Sequence, residues 1–150
     1  MTADPTARQH AVVVARAAAD RKAEDVVALD VSERLVLTDV FVVASGRNER
    51  QVSAIVDAVE EAMFRQGVKV RRKEGESHAR WVLLDFGDVV VHVQHAEDRM
   101  YYALERLWKD CPVIELPADL YRAVEDEEAA ARSGGAGGAP GGPGRGPDRA

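Results

Sequence analysis

The stretch Glu74–Val93, EGESHARWVLLDFGDVVVHV, decides how this chain is read. Two apolar runs, RWVLLDF and DVVVHVQ, meet through Gly87, a connection short enough for a β-hairpin. Alternation puts Trp81, Leu83 and Asp85 on one face of the first run and Val82, Leu84 and Phe86 on the other. Both faces are apolar enough to want cover. One packs under helices, and the other is either core as well or a surface held open for a partner. In the second run His92 faces with Val90 and Gln94, away from the row of Val89, Val91 and Val93.

Working outward, Asp4-Pro5 opens a helix as N-cap and first-turn proline, and the Ala-rich run carries it to Lys22. Asp25–Val31 and Thr38–Ser45 read as strands joined by a turn at SERL, the second nearly continuous in apolar residues and therefore central. Asn48 caps the next helix, with Gln51 three residues on in a variant of the capping box. Val52, Ile55, Val56, Val59, Met63 and Phe64 are expected on its buried face, and Gly67 stops it. VKVRRKEG reads as an edge strand, because Lys69, Arg71, Arg72 and Lys73 discourage further pairing. A helix over His95–Trp108 follows the hairpin, and VIELPADL runs extended after it. The order αββαβββα predicts an α/β (α+β) fold, a mixed sheet packed with helices.

The 150 residues suffice for one domain with a real core, expected over residues 1–121. Residues 122–150 are acidic, then Gly/Pro-rich, and are expected to be disordered. Charges interrupt every apolar run, so no membrane partner is expected. The single cysteine, Cys111, fits a reducing cytosol and reads as a small hydrophobe. A formal net charge of -6 argues against wrapping a phosphate backbone, DNA included, and favours a basic protein partner.

Catalytic readings are thin. Ser45-Gly46 lies where a phosphate sits on backbone N–H groups, yet SGRNER lacks the Gly-Lys-Ser/Thr of a P-loop. Asp39, Asp85 and Asp88 are the acids a metal-dependent nucleotidyltransferase would use, but Asp88 reads better as a turn residue bonding local amides. Ser77-His78 adjacency does not orient an imidazole onto the hydroxyl, and His10, His78, His92 and His95 show no zinc spacing. Neither a metal nor a cofactor is expected. Direct RNA binding through Lys69, Arg71, Arg72 and Lys73 is a third reading, weak in an acidic chain.

ALDV (Ala28–Val31), TDVFVVASGRNERQVSAIVDAVEE (Thr38–Glu61), EGESHARWVLLDFGDVVVHV and YYALERLW (Tyr101–Trp108) together resemble the ribosomal silencing factor (Iojap-like) family. The resemblance implies a fold akin to nucleotidyltransferases without their catalytic set. It implies a non-enzymatic, cytoplasmic repressor of translation that binds the large ribosomal subunit through that subunit's ribosomal protein fourteen. Occupancy there keeps the small subunit away when nutrients are short. Trp81, Leu83 and His92 then lie on the partner-facing sheet surface, while Asp85 and Asp88 shape the turn and offer acceptors to a basic partner. Ser45, Gly46, Arg50, Gln51, Glu74, Gly75 and Gly87 match the motif in structural roles. Open strand faces also suggest a homodimer.

Overall fold

Residues 3–102, 106 and 108–120 are described in the computed structural model. The first helix, α1, spans Pro5–Asp20, and the Asp4 carboxylate accepts from Thr6 N–H at 3.0 Å, with proline in the first turn as the sequence suggests. Strands β1 (Glu24–Asp30) and β2 (Val40–Gly46) pair antiparallel. Helix α2 covers Glu49–Arg65, capped by Asn48. Gly67 (φ +81°) follows its end in the left-handed region, as a helix stop requires. Strand β3 (Arg72–Glu74) and the hairpin strands β4 (Trp81–Asp85) and β5 (Val89–His95) come next, then helix α3 (Ala96–Tyr102) and strand β6 (Val113–Ile114).

The sheet order is β3-β4-β5-β2-β1-β6. β3 lies at one edge, as its charges predict, and β2 is central beside its parallel partner β5. The connection from β2 through α2, β3 and β4 to β5 supplies the crossover that a parallel pair needs. One pairing was not foreseen: β6 is only two residues long, too short to stand out in a sequence. The expected helix over His95–Trp108 is described as α3 plus residue 106, and Trp108 lies in a turn. The expected tail, 122–150, lies outside the described residues.

One sheet face packs on α1 and α2. Val82, Leu84, Phe86, Val89, Val91 and Val93 join Val40, Val42, Ala28 and the helices' apolar faces in the main core. From α2 come Val52, Ile55, Val56, Val59 and Met63, but not Phe64, which is 63% exposed. At 3.6 residues per turn Phe64 sits about 120° around the helix from Val52, outside the stripe. The opposite face holds a smaller cluster of Leu29, Val31, Phe41, Val90 and Cys111, with Leu35, Leu83 and Trp108 packed on it. Cys111 is buried there as a small hydrophobe.

Candidate docking face

Across the β4–β5 ladder Trp81 stands opposite Gln94, Leu83 opposite His92 and Asp85 opposite Val90. Trp81, Leu83, Asp85 and His92 therefore share the face turned away from α1 and α2. Trp81, Leu83 and Asp85 are half-buried, so the second sheet face is only partly closed at this edge. The Trp81 indole N–H donates to His92 Nδ1 at 3.2 Å. An indole nitrogen is only a donor, so Nδ1 holds the lone pair and neutral His92 carries its proton on Nε2. The His92 ring meets Phe41 edge-on at 5.1 Å, and burial pushes its pKa down to about 4.

The acids separate. Gly87 N–H donates to Asp85 Oδ1 at 2.8 Å, closing the hairpin turn. Asp85, not Asp88, is thus the turn residue: a carboxylate bonds the amide two positions on, which suits the residue entering the turn. Asp88 instead lies 3.3 Å from His10 Nδ1 on α1, and Asp39 accepts from Asp4 N–H at 2.8 Å. Among the described residues no three His, Cys, Asp or Glu side chains are grouped to hold a metal ion. Ser77 Oγ does reach His78 Nδ1, at 3.2 Å, but on an exposed turn. The basic run is largely compensated: Lys73 bridges Glu60 and Glu76, and Arg72 pairs with Glu74.

Three of the motif residues around β2 and α2, Ser45, Gly46 and Gln51, make close local contacts. Ser45 Oγ donates to Glu24 O at 3.0 Å, and a Cβ on Gly46 would stand 3.1 Å from Val52 N. Gln51 N–H donates to the Asn48 side chain at 2.8 Å, so the helix start where a phosphate would sit is already capped. The Gln51 side chain accepts from Arg47 N–H at 2.7 Å and donates to Arg21 O and Lys22 O at 3.0 Å each. It joins the end of α1 to the start of α2. Gln51→Ala should cost about 1 kcal/mol in urea unfolding. Arg50 lies exposed in the first turn of α2.

Two residues escaped the sequence reading. Arg80 reaches Asp98 (2.8 Å), Glu97 (3.3 Å) and Glu49 (3.9 Å), tying the start of β4 beside Trp81 to the first turns of α3 and α2. Asp30 is buried and accepts from Ala3 N–H, Ser32 N–H and Ser32 Oγ, with Arg8 at 3.4 Å. Burial alone would raise its pKa, but these hydrogen bonds and Arg8 hold the carboxyl below its ordinary value. The one available signal was an acid inside the apolar run VVALDV.

Residues 4–137 match the family model described as "Ribosomal silencing factor during starvation". The chain belongs to this family. A ribosomal silencing factor from Halalkalibacterium halodurans is 47% identical over 97 residues, covering 65% of this chain and 83% of the relative. The Bacillus subtilis silencing factor is 42% identical over 104 residues, covering 69% and 88%. A chloroplastic Iojap protein of Zea mays is 35% identical, covering 75% of this chain and 49% of its own. A crystal structure of a Chromobacterium violaceum protein, 37% identical, aligns with a TM-score of 0.65 over 67% of this chain and 84% of that one. One from Bacillus halodurans, 44% identical, gives 0.62 over 69% and 94%. The curated relatives bear the name of regulators of the ribosome rather than of enzymes. Among the described residues no helix is long and apolar enough to cross a membrane.

Proposed function

We propose that this protein binds the large ribosomal subunit through its ribosomal protein fourteen, in the cytoplasm, and sterically blocks the small subunit, repressing translation when nutrients are short. The observation carrying this reading is the half-buried row of Trp81, Leu83 and Asp85 on the sheet face opposite α1 and α2. Large aromatic side chains anchor interfaces because they bring area at low entropic cost. Blocking needs no bond chemistry, only bulk and a contact that persists, for which about 1,200–2,000 Å² of buried surface is sufficient. Asp39, Asp85 and Asp88 each have a local partner, which counts against the nucleotidyltransferase alternative.

The test is subunit joining followed by light scattering. Rising amounts of the protein should inhibit joining, and Trp81→Ala, checked for an intact fold by circular dichroism, should need about tenfold more protein or fail. Inhibition should also weaken with salt, since an acidic chain is expected to meet a basic partner. Joining at the normal rate with the protein in excess would refute the proposal.

A further inference from the structure

The loop between β1 and β2 presents two adjacent aliphatic side chains to solvent, Val36 at 95% and Leu37 at 86% exposure. Scattered exposed aliphatics are ordinary, but a neighbouring pair on an anchored loop is not. Val31 N–H donates to Asp39 O at 2.9 Å, closing the loop's base. Leu35 N–H donates to Val31 O at 2.9 Å, and Ser32 is bonded twice to Asp30. Leu35 itself turns inward onto the second-face cluster that also includes Leu83. The exposed pair is thus continuous, through Leu35, with the face assigned above to docking.

Its surroundings are acidic. A hollow of about 560 Å³ beside the loop is lined by Asp4, Glu33 and Asp39 as well as Val36. Asp39 N–H and Val40 N–H donate to Asp88 O, which brings the β4–β5 turn to the same end of the sheet. Arg34, the hollow's lining cation, is 3.3 Å from Asp110. An apolar tip beside an acidic hollow repels a phosphate backbone and suits a basic protein surface with an apolar socket. Phe64, also exposed, stands elsewhere, on the α2 side away from the second sheet face, in a groove lined by Asp57, Glu60 and Glu61 as well as Lys69.

We infer that the Val36–Leu37 tip is a second docking element, which enters an apolar recess on a basic protein and is steered there by Asp4, Glu33 and Asp39. The inference rests on the proposed function, and takes the basic protein to be the one on the large subunit. Because the loop is held in place before binding, little ordering is needed on contact.

Binding of the full-length protein to purified large subunits by sedimentation tests it. Wild type is measured first, since failure there defeats the proposed function rather than the loop's role. With wild type binding, the double variant V36S/L37S should bind about tenfold more weakly. Its melting temperature should stay unchanged, because neither side chain is buried. F64S, removing an equally apolar side chain elsewhere, should bind as wild type. Equal binding by V36S/L37S and wild type overturns the inference while leaving the proposed function standing. A variant that binds normally but converts a dimer into a monomer in solution also overturns it, giving the tip to a second copy of the chain. So does a loss of affinity that appears equally on protein-free ribosomal RNA.

Discussion

Replacing Gly75 with alanine is expected to destabilise the protein by about 3 kcal/mol, summing a left-handed backbone penalty and a forced backbone shift. Gly75 has φ +85°, and a Cβ built on it would lie 2.1 Å from the Trp81 carbonyl oxygen. Both atoms in that clash are close to the main chain, so no side chain can swing away. The strand start must move, and Trp81 with it. Gly67 supplies the control: its φ is +81°, yet nothing lies within 4 Å of its added Cβ. Gly67→Ala should cost only the conformational part, about 1 kcal/mol. Urea unfolding of the two variants measures the difference. A Gly75→Ala protein as stable as Gly67→Ala would mean that β4 does not pass so close to the turn. The proposed subunit docking should fall with Gly75→Ala even where folding persists, because the Trp81 row is displaced.

The layout was legible wherever period and punctuation agreed. Alternation in β4 separated Val82, Leu84 and Phe86 from Trp81, Leu83 and Asp85, and the main core takes the first set while leaving the second half-buried. Asp4-Pro5 and Asn48 marked two helix starts, since capping chemistry is local and needs no tertiary context. Differences arose from helix geometry in one case and from neighbours distant in sequence in another. Phe64 looked like part of the α2 stripe because the apolar count ran one residue too far around the helix. β6 exists because Ala28 and Leu29 receive it, which nothing in Val113–Ile114 announces.

Site residues were harder for the same reason. Asp85 and Asp88 are equally plausible turn acids in a sequence. The choice between them is made by His10 on α1, 78 positions from Asp88, which draws Asp88 away from the turn amides. Asp30 reads as an ordinary strand acid until Ala3, just before α1, donates its N–H to it. The exposed Val36–Leu37 pair passes as strand or loop until burial is known, because a short apolar run has no period of its own.

The protein should lose stability in acid well before its carboxylates protonate. His92 is the cause. Its pKa falls from 6.5 to about 4 through burial, and the Trp81 indole N–H occupies Nδ1, the nitrogen that a second proton would need. A lowered histidine pKa means that the unfolded chain takes up a proton which the folded chain refuses. Above pH 6.5 neither state is protonated and His92 adds nothing to the pH dependence. As pH falls from 6.5 toward 4, each unit favours the unfolded state by up to about 1.4 kcal/mol, close to 3 kcal/mol over the window. Asp30 works in the same direction but at lower pH, since its carboxyl is held below 3.8 and its contribution is lost only beneath that value. The two are therefore separable. Chemical unfolding of wild type at several pH values from 7 to 4 should show the fall, and His92→Leu should remove most of it. An unchanged acid slope in His92→Leu would mean that the imidazole charges freely in the folded protein, and that the Trp81 hydrogen bond does not hold it neutral.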